Sequence, residues 1–253
     1  MSSRIRAVLC VLSFVLAAPA VRAEPPPTTV FEPEPGTVSR RIVLVPVNLG
    51  VRVVPEVESG LEPVWNEILN HFLAQDLPVA ALERSSAMTL WNEVMAEAAA
   101  EPQADDVYEV YGRFARRIAE QVDCGAIVFP SLVTRVAKVS GRTARWDGVN
   151  RSLAIPGKDF EEVDAFPEGG FKVMRQGVTG EIAAASLHVA VVSPAGELRF
   201  EGAGGLEVLQ RLVEGRDAEL ERVARSDAWQ DPKPLREGVA LAFRKSLPAS
   251  KAR

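Results

Sequence analysis

Residues 42–47 read Ile42-Val43-Leu44-Val45-Pro46-Val47, six consecutive apolar positions of which four are β-branched. A run with no polar alternate predicts a strand buried on both faces, packed inside a layered domain rather than at a wet surface. Pro46 lacks an amide donor, so it belongs near an end of the paired segment or at a bulge.

Downstream of this run, Ser59 and Glu62 have capping-box spacing. Leu61, Val64, Trp65, Ile68, Leu69, Phe72 and Leu73 then recur at three- and four-residue intervals, which predicts an amphipathic helix with Trp65 and Phe72 in the core. Residues 77–82 read as a short second strand. A second helix begins at Ser85 or Ser86 with Leu90, Trp91, Val94, Met95 and Ala98 on one face. Residues 102–105 break the pattern. Asp105 and Asp106 open a third helix whose apolar face runs from Val107 through Val122, and Gly125 is expected to end it.

The period then shifts from helical to extended. Residues 126–129 read as a strand, 132–139 and 143–153 as a hairpin about Ser140-Gly141, and 182–192 and 198–202 as a second hairpin turning at Pro194-Ala195-Gly196. A last helix starts with Asp231 as N-cap and Pro232 at its first position, burying Leu235, Val239, Ala242 and Phe243. This order predicts an α/β fold: a single domain over residues 41–253, with a mixed sheet, flanking helices and two β-hairpins in its C-terminal half. Residues 156–178, with Gly169-Gly170 and five acids, exceed the ordinary loop length of ~12–15 residues and read as an insertion.

Upstream of the first strand the composition changes. Residues 24–40 hold five prolines and read as a leader or tether. Residues 1–23 combine Arg4 and Arg6, a short apolar stretch and Val21-Arg22-Ala23, the pattern of a secretory signal peptide cleaved after Ala23. The apolar stretch falls short of the ~20 residues that span a bilayer, so no transmembrane segment is expected in the mature chain. Periplasmic or secreted localisation follows from this reading. Removing Arg4, Arg6 and Arg22 takes the basic residues from 29 to 26 against 34 acidic ones, so the net charge moves from −5 to −8. An acidic surplus argues against a nucleic-acid partner. Cys10 leaves with the signal, and Cys124, beside an apolar run, is expected to be a buried thiol.

The chemistry-bearing patterns are few. With His71 and His188 the only histidines, no zinc spacing exists, and neither a G-x-S-x-G elbow nor a phosphate loop occurs. His188 is expected to be solvated or hydrogen-bonded on the polar side of its strand. The glycines at 202, 204 and 205 are expected to let a strand bend or bulge. No cofactor and no catalytic residue is assigned. The distinctive feature is a basic island on one hairpin, Arg135, Lys138, Arg142, Arg145 and Arg151 with Trp146 among them and Asp147 the single acid. Arginine beside tryptophan can stack and can recognise carboxylate, phosphate or an acidic partner. A charged outer face that discourages edge pairing is the alternative reading of the same residues.

The strand at residues 42–47, the strand entering Glu83-Arg84-Ser85, the segment Cys124-Gly125-Ala126-Ile127-Val128 and the turn Gly196-Glu197-Leu198 together resemble the α/β domain shared by the curli secretion channel subunit and the TolB N-terminal domain. The resemblance implies a non-enzymatic component or accessory of an envelope assembly, with an envelope protein as partner. The lipoprotein cysteine common in that group is missing here. The expected function is therefore an exported interaction or assembly module; the alternative is a small-ligand binder or hydrolase with a cleft under residues 156–178.

Overall fold

The computed structural model describes residues 41–100, 107–154, 178–214 and 220–244. The expected signal peptide and proline-rich leader lie outside the described residues, as does the expected insertion up to residue 177. Strand β1 (Arg41–Leu44) sends Ile42 and Leu44 into one apolar cluster and Val43 into another, and Val45 continues the second cluster just past its end. Both faces are covered, as the unbroken apolar run predicts. Pro46 lies beyond the strand, after Val45 N has made a 3.0 Å bond to Val128 O.

Strands β2 (Val79–Ala81) and β3 (Cys124–Ser140) flank β1 and run parallel to it. Helices α1 (Pro55–Glu58) and α2 (Leu61–Leu73) connect β1 to β2, and α2 buries Val64, Ile68 and Phe72 against Ile42 and Leu44. Helices α3 (Arg84–Ala99) and α4 (Val107–Ala119) precede β3 and bury Trp91, Val94, Phe114 and Ile118 on the opposite face. Fully buried side chains such as Phe72 and Phe114 each contribute about 1.5–3 kcal/mol.

Several local expectations fail here for identifiable reasons. The Ser59–Glu62 capping box does not form: Pro55 starts α1 just upstream, which leaves Ser59 in helical backbone, and Gly60 becomes the N-cap without a side-chain bond. Met95 is 42% exposed because the buried stripe of α3 runs through Ala87, Trp91, Val94 and Ala98. Helix α4 ends at Ala119, and Gly125 lies inside β3. Cys124 is buried, as expected.

Strand β3 is one 17-residue strand rather than two. Pro130 does not interrupt it, because Val128, Pro130 and Leu132 turn their backbone polar groups toward the β1 edge, where β1 has already ended. Asn48 fills that gap. Its backbone adopts φ +55°, its N–H donates to Pro130 O, its Nδ2 donates to Leu132 O at 3.0 Å, and its Oδ1 accepts from Leu132 N at 2.6 Å. Further along the same edge, β4 (Thr143–Trp146) pairs antiparallel with residues 138–140.

The opposite edge of β3 pairs along residues 127–140 with β6 (Thr179–Val192), which in turn pairs with β7 (Leu198–Val208). The expected 143–153 strand is interrupted at Asp147 and Gly148, both with positive φ, and continues as β5 (Val149–Ser152). This second turn folds β4 and β5 over one face of β3: Gly205 N of β7 donates to Asp147 O, and Trp146 Nε1 donates to Ala185 O. Ala137, Val139, Ala144, Trp146, Ile182 and Ala184 form a third apolar cluster beneath the curl. Strand β7 extends six residues past the expected end at Gly202, and a hairpin of β8 (Gln210–Glu214) and β9 (Leu220–Ala224) follows that no periodicity signalled.

Helix α5 (Pro232–Ala242) begins as expected, with Asp231 accepting a 2.9 Å bond from Lys233 N, and it buries Leu235, Val239 and Ala242. It lies directly on β7. A Cβ at Gly204 would fall 2.0 Å from Gly238 O, so the glycines admit the helix as well as the bulge that shifts the β6–β7 register at Ala185/Ser186.

Candidate functional site

The six residues of the basic hairpin separate according to strand alternation. Lys138 and Arg145 are directly opposite each other across β3 and β4, and both point to the outer, exposed face. Glu181 of β6 and Asn150 of β5 extend the same cross-strand row. Val136, two residues before Lys138, is 61% exposed on that face. Arg142 sits in the β3–β4 turn and is exposed.

The other three lie on the inner face or across it. Trp146 is buried in the third cluster with its Nε1 bonded to Ala185 O, so its ring is not available for stacking at the surface. Arg135 reaches Asp147 Oδ2 at 3.2 Å, tying β3 to the β4–β5 turn. Arg151 pairs with Glu237 and donates from Nη2 to Pro234 O at 3.3 Å, anchoring β5 to α5. The outward cations are thus Lys138 and Arg145, and neither makes an ion pair among the described residues. Like charges directly opposite each other are destabilising in a sheet. The pair is kept on a chain whose overall charge is negative.

A charged crevice of about 440 Å³ lies between β5, the end of β7, β8 and the start of α5, where the described chain breaks off at Ala154. Its charges are largely matched by each other. Glu207, nearly fully buried, accepts from Arg225 Nη1 at 2.7 Å, and Arg225 also forks onto Asp227. Hydrogen bonds from Arg225 hold the Asp227 carboxyl below its ordinary range, and the same bonds raise the arginine. The Arg225 fork joins the root of the β8–β9 hairpin to β7.

His188 is hydrogen-bonded, as its strand position predicts: Nε2 lies 2.7 Å from Glu201 Oε1, which also accepts from the Tyr108 hydroxyl of α4. His71 stacks on Phe243 at 5.3 Å, and burial lowers its pKa, with Glu67 acting in the opposite sense. Among the described residues no group of three or more His, Cys, Asp or Glu side chains could hold a metal ion. No helix there is long and apolar enough to cross a membrane.

No protein-family model matches the chain, and no curated protein matches it. Its mixed parallel and antiparallel sheet with helices on both faces is an α/β fold. Proximity along the chain puts the six basic-hairpin residues in one group. Strand alternation applied through the register would have separated Arg145 from Trp146 and Arg151. Neither Asn48 nor the Arg225 fork carries a sequence pattern, because each acts on a segment distant along the chain.

Proposed function

We propose that this protein is an exported interaction or assembly module of the cell envelope, working without a cofactor, and that it presents the outer face of β3, β4 and β5 to an acidic partner protein. The observation that carries this reading is the Lys138–Arg145 pair: two cations in register, exposed and without an ion pair among the described residues, beside the exposed Val136. A carboxylate surface on a partner would relieve their mutual repulsion and form charge-assisted hydrogen bonds, while Val136 would add apolar contact. The resemblance to envelope-assembly domains points to the same class of partner.

The test is capture from the protein's own envelope extract, comparing the parent chain with the double variant K138E/R145E. The expected result is a specific partner that is retained at low salt, weakened by high salt and lost with the double variant. Capture unaffected by both charge reversal and salt, or turnover of a substrate with no partner recovered, would overturn the proposal.

A further inference from the structure

A second candidate site lies outside the carboxyl ends of the parallel strands β1 and β2. The connection leaving β1 goes to α2 on one face of the sheet, and the connection leaving β2 goes to α3 on the other. The crevice lies outside the carboxyl ends of β1 and β2, the end of a parallel sheet at which α/β folds take ligands, one strand away from the point between β1 and β3 where the strand order reverses. Here the crevice encloses about 330 Å³, at the lower end of the range for small-molecule pockets.

Its walls are mostly apolar. Pro46 and Val47 come from the segment after β1, Leu61 and Trp65 from α2, and Leu82 from the segment after β2. Arg84, the first residue of α3, lies at its side, an exposed residue with Nη1 donating to Val47 O at 3.2 Å. That bond fixes the guanidinium without neutralising it. Glu83, the adjacent acid, is turned to the hydroxyls of Ser85 and Ser86, and Glu62 lines the crevice without forming an ion pair with Arg84. An arginine held in place against an apolar wall, with donors left over and no carboxylate among the described residues paired with it, matches a ligand that brings both the carboxylate and the apolar body.

We infer that the crevice between Trp65, Leu82 and Arg84 is a binding site for a small carboxylate with an apolar body. Arg84 takes the carboxylate, Trp65 and the leucines pack the body, and Glu62, exposed at the rim, disfavours the anion. This site shares no residue with the Lys138–Arg145 face, so each proposal can fail alone.

The probe is 3-phenylpropionate, titrated into the full chain and followed by tryptophan fluorescence and by two-dimensional amide NMR. Trp91, Trp146 and Trp229 are buried, so Trp65 is the expected reporter, and the W65F variant identifies its signal. Saturable binding is expected, with shifts confined to the segments around Val47, Leu61 and Arg84. The uncharged 3-phenylpropionamide should bind about tenfold more weakly, as should the carboxylate to R84Q, while R84K retains part of the affinity and E62Q gains about threefold. The amide comparison uses the unaltered protein and is independent of how the variants fold. Equal binding of acid and amide, tighter binding of 3-phenylpropylamine, full affinity in a folded R84Q, or no saturable binding of any probe would each overturn the inference.

Discussion

Asn48 stands where a strand residue would ordinarily continue the sheet edge. Its carboxamide supplies one donor and one acceptor to the backbone of Leu132, so a single side chain satisfies two buried groups that β1 no longer reaches. Asn48→Ala leaves both without a partner and is expected to cost about 3 kcal/mol in denaturant unfolding. Asn48→Asp, which keeps the acceptor but sets a carboxylate against Leu132 O, should be no better tolerated. At the other residue of interest, burial depresses the His71 pKa below its ordinary 6.5. The unfolded chain then binds a proton more readily than the folded one, so stability is complete above about pH 6.5 and falls as pH drops from there through the depressed value. Unfolding midpoints measured from pH 7.5 to 5 should therefore decline more steeply for the parent than for His71→Gln.

Among the elements, α5 depends on both its start and its contact. Asp231→Ala removes the bond to Lys233 N and should lower stability by about 1 kcal/mol without altering the sheet. Gly204→Ala acts differently, because its Cβ would meet Gly238 O at 2.0 Å and Ala242 N at 2.8 Å, backbone atoms that cannot rotate away. The helix has to lift from β7, and a loss of about 3 kcal/mol is expected, read as a lower melting temperature. The periodicity of Leu235, Val239 and Ala242 shows this helix in the sequence. Its seat on the glycines of β7 is invisible there, because a glycine pattern does not say whether a strand bends, bulges or admits a neighbour.

At the scale of the whole molecule, the curl of β4 and β5 over β3 divides the basic hairpin into anchors and a free face. Arg135 and Arg151 are used in holding the curl to the β4–β5 turn and to α5, while Lys138 and Arg145 point away from it. A charge change on the outer face should therefore separate folding from binding. K138E sets opposite charges across β3 and β4 while adding a like charge beside Glu181, so its thermal unfolding should stay within about 0.5 kcal/mol of the parent. R151E breaks the tie to Glu237 and should destabilise the domain, measurable in the same melts.

The apolar run at residues 42–47, the helical stripes on α2 and α4 and the Asp231-Pro232 start of α5 are local, and the sequence alone was enough to place them in an α/β fold. Each is a repeat of hydrophobicity or a cap, decided by the geometry of one element. Tertiary structure alone decided that Asn48 completes the edge of β3, that Trp146 belongs to the core and that Arg84 and Trp65 line one crevice. These depend on register, turn position and the faces to which connections depart, and contacts between residues far apart along the chain leave no periodic trace in it.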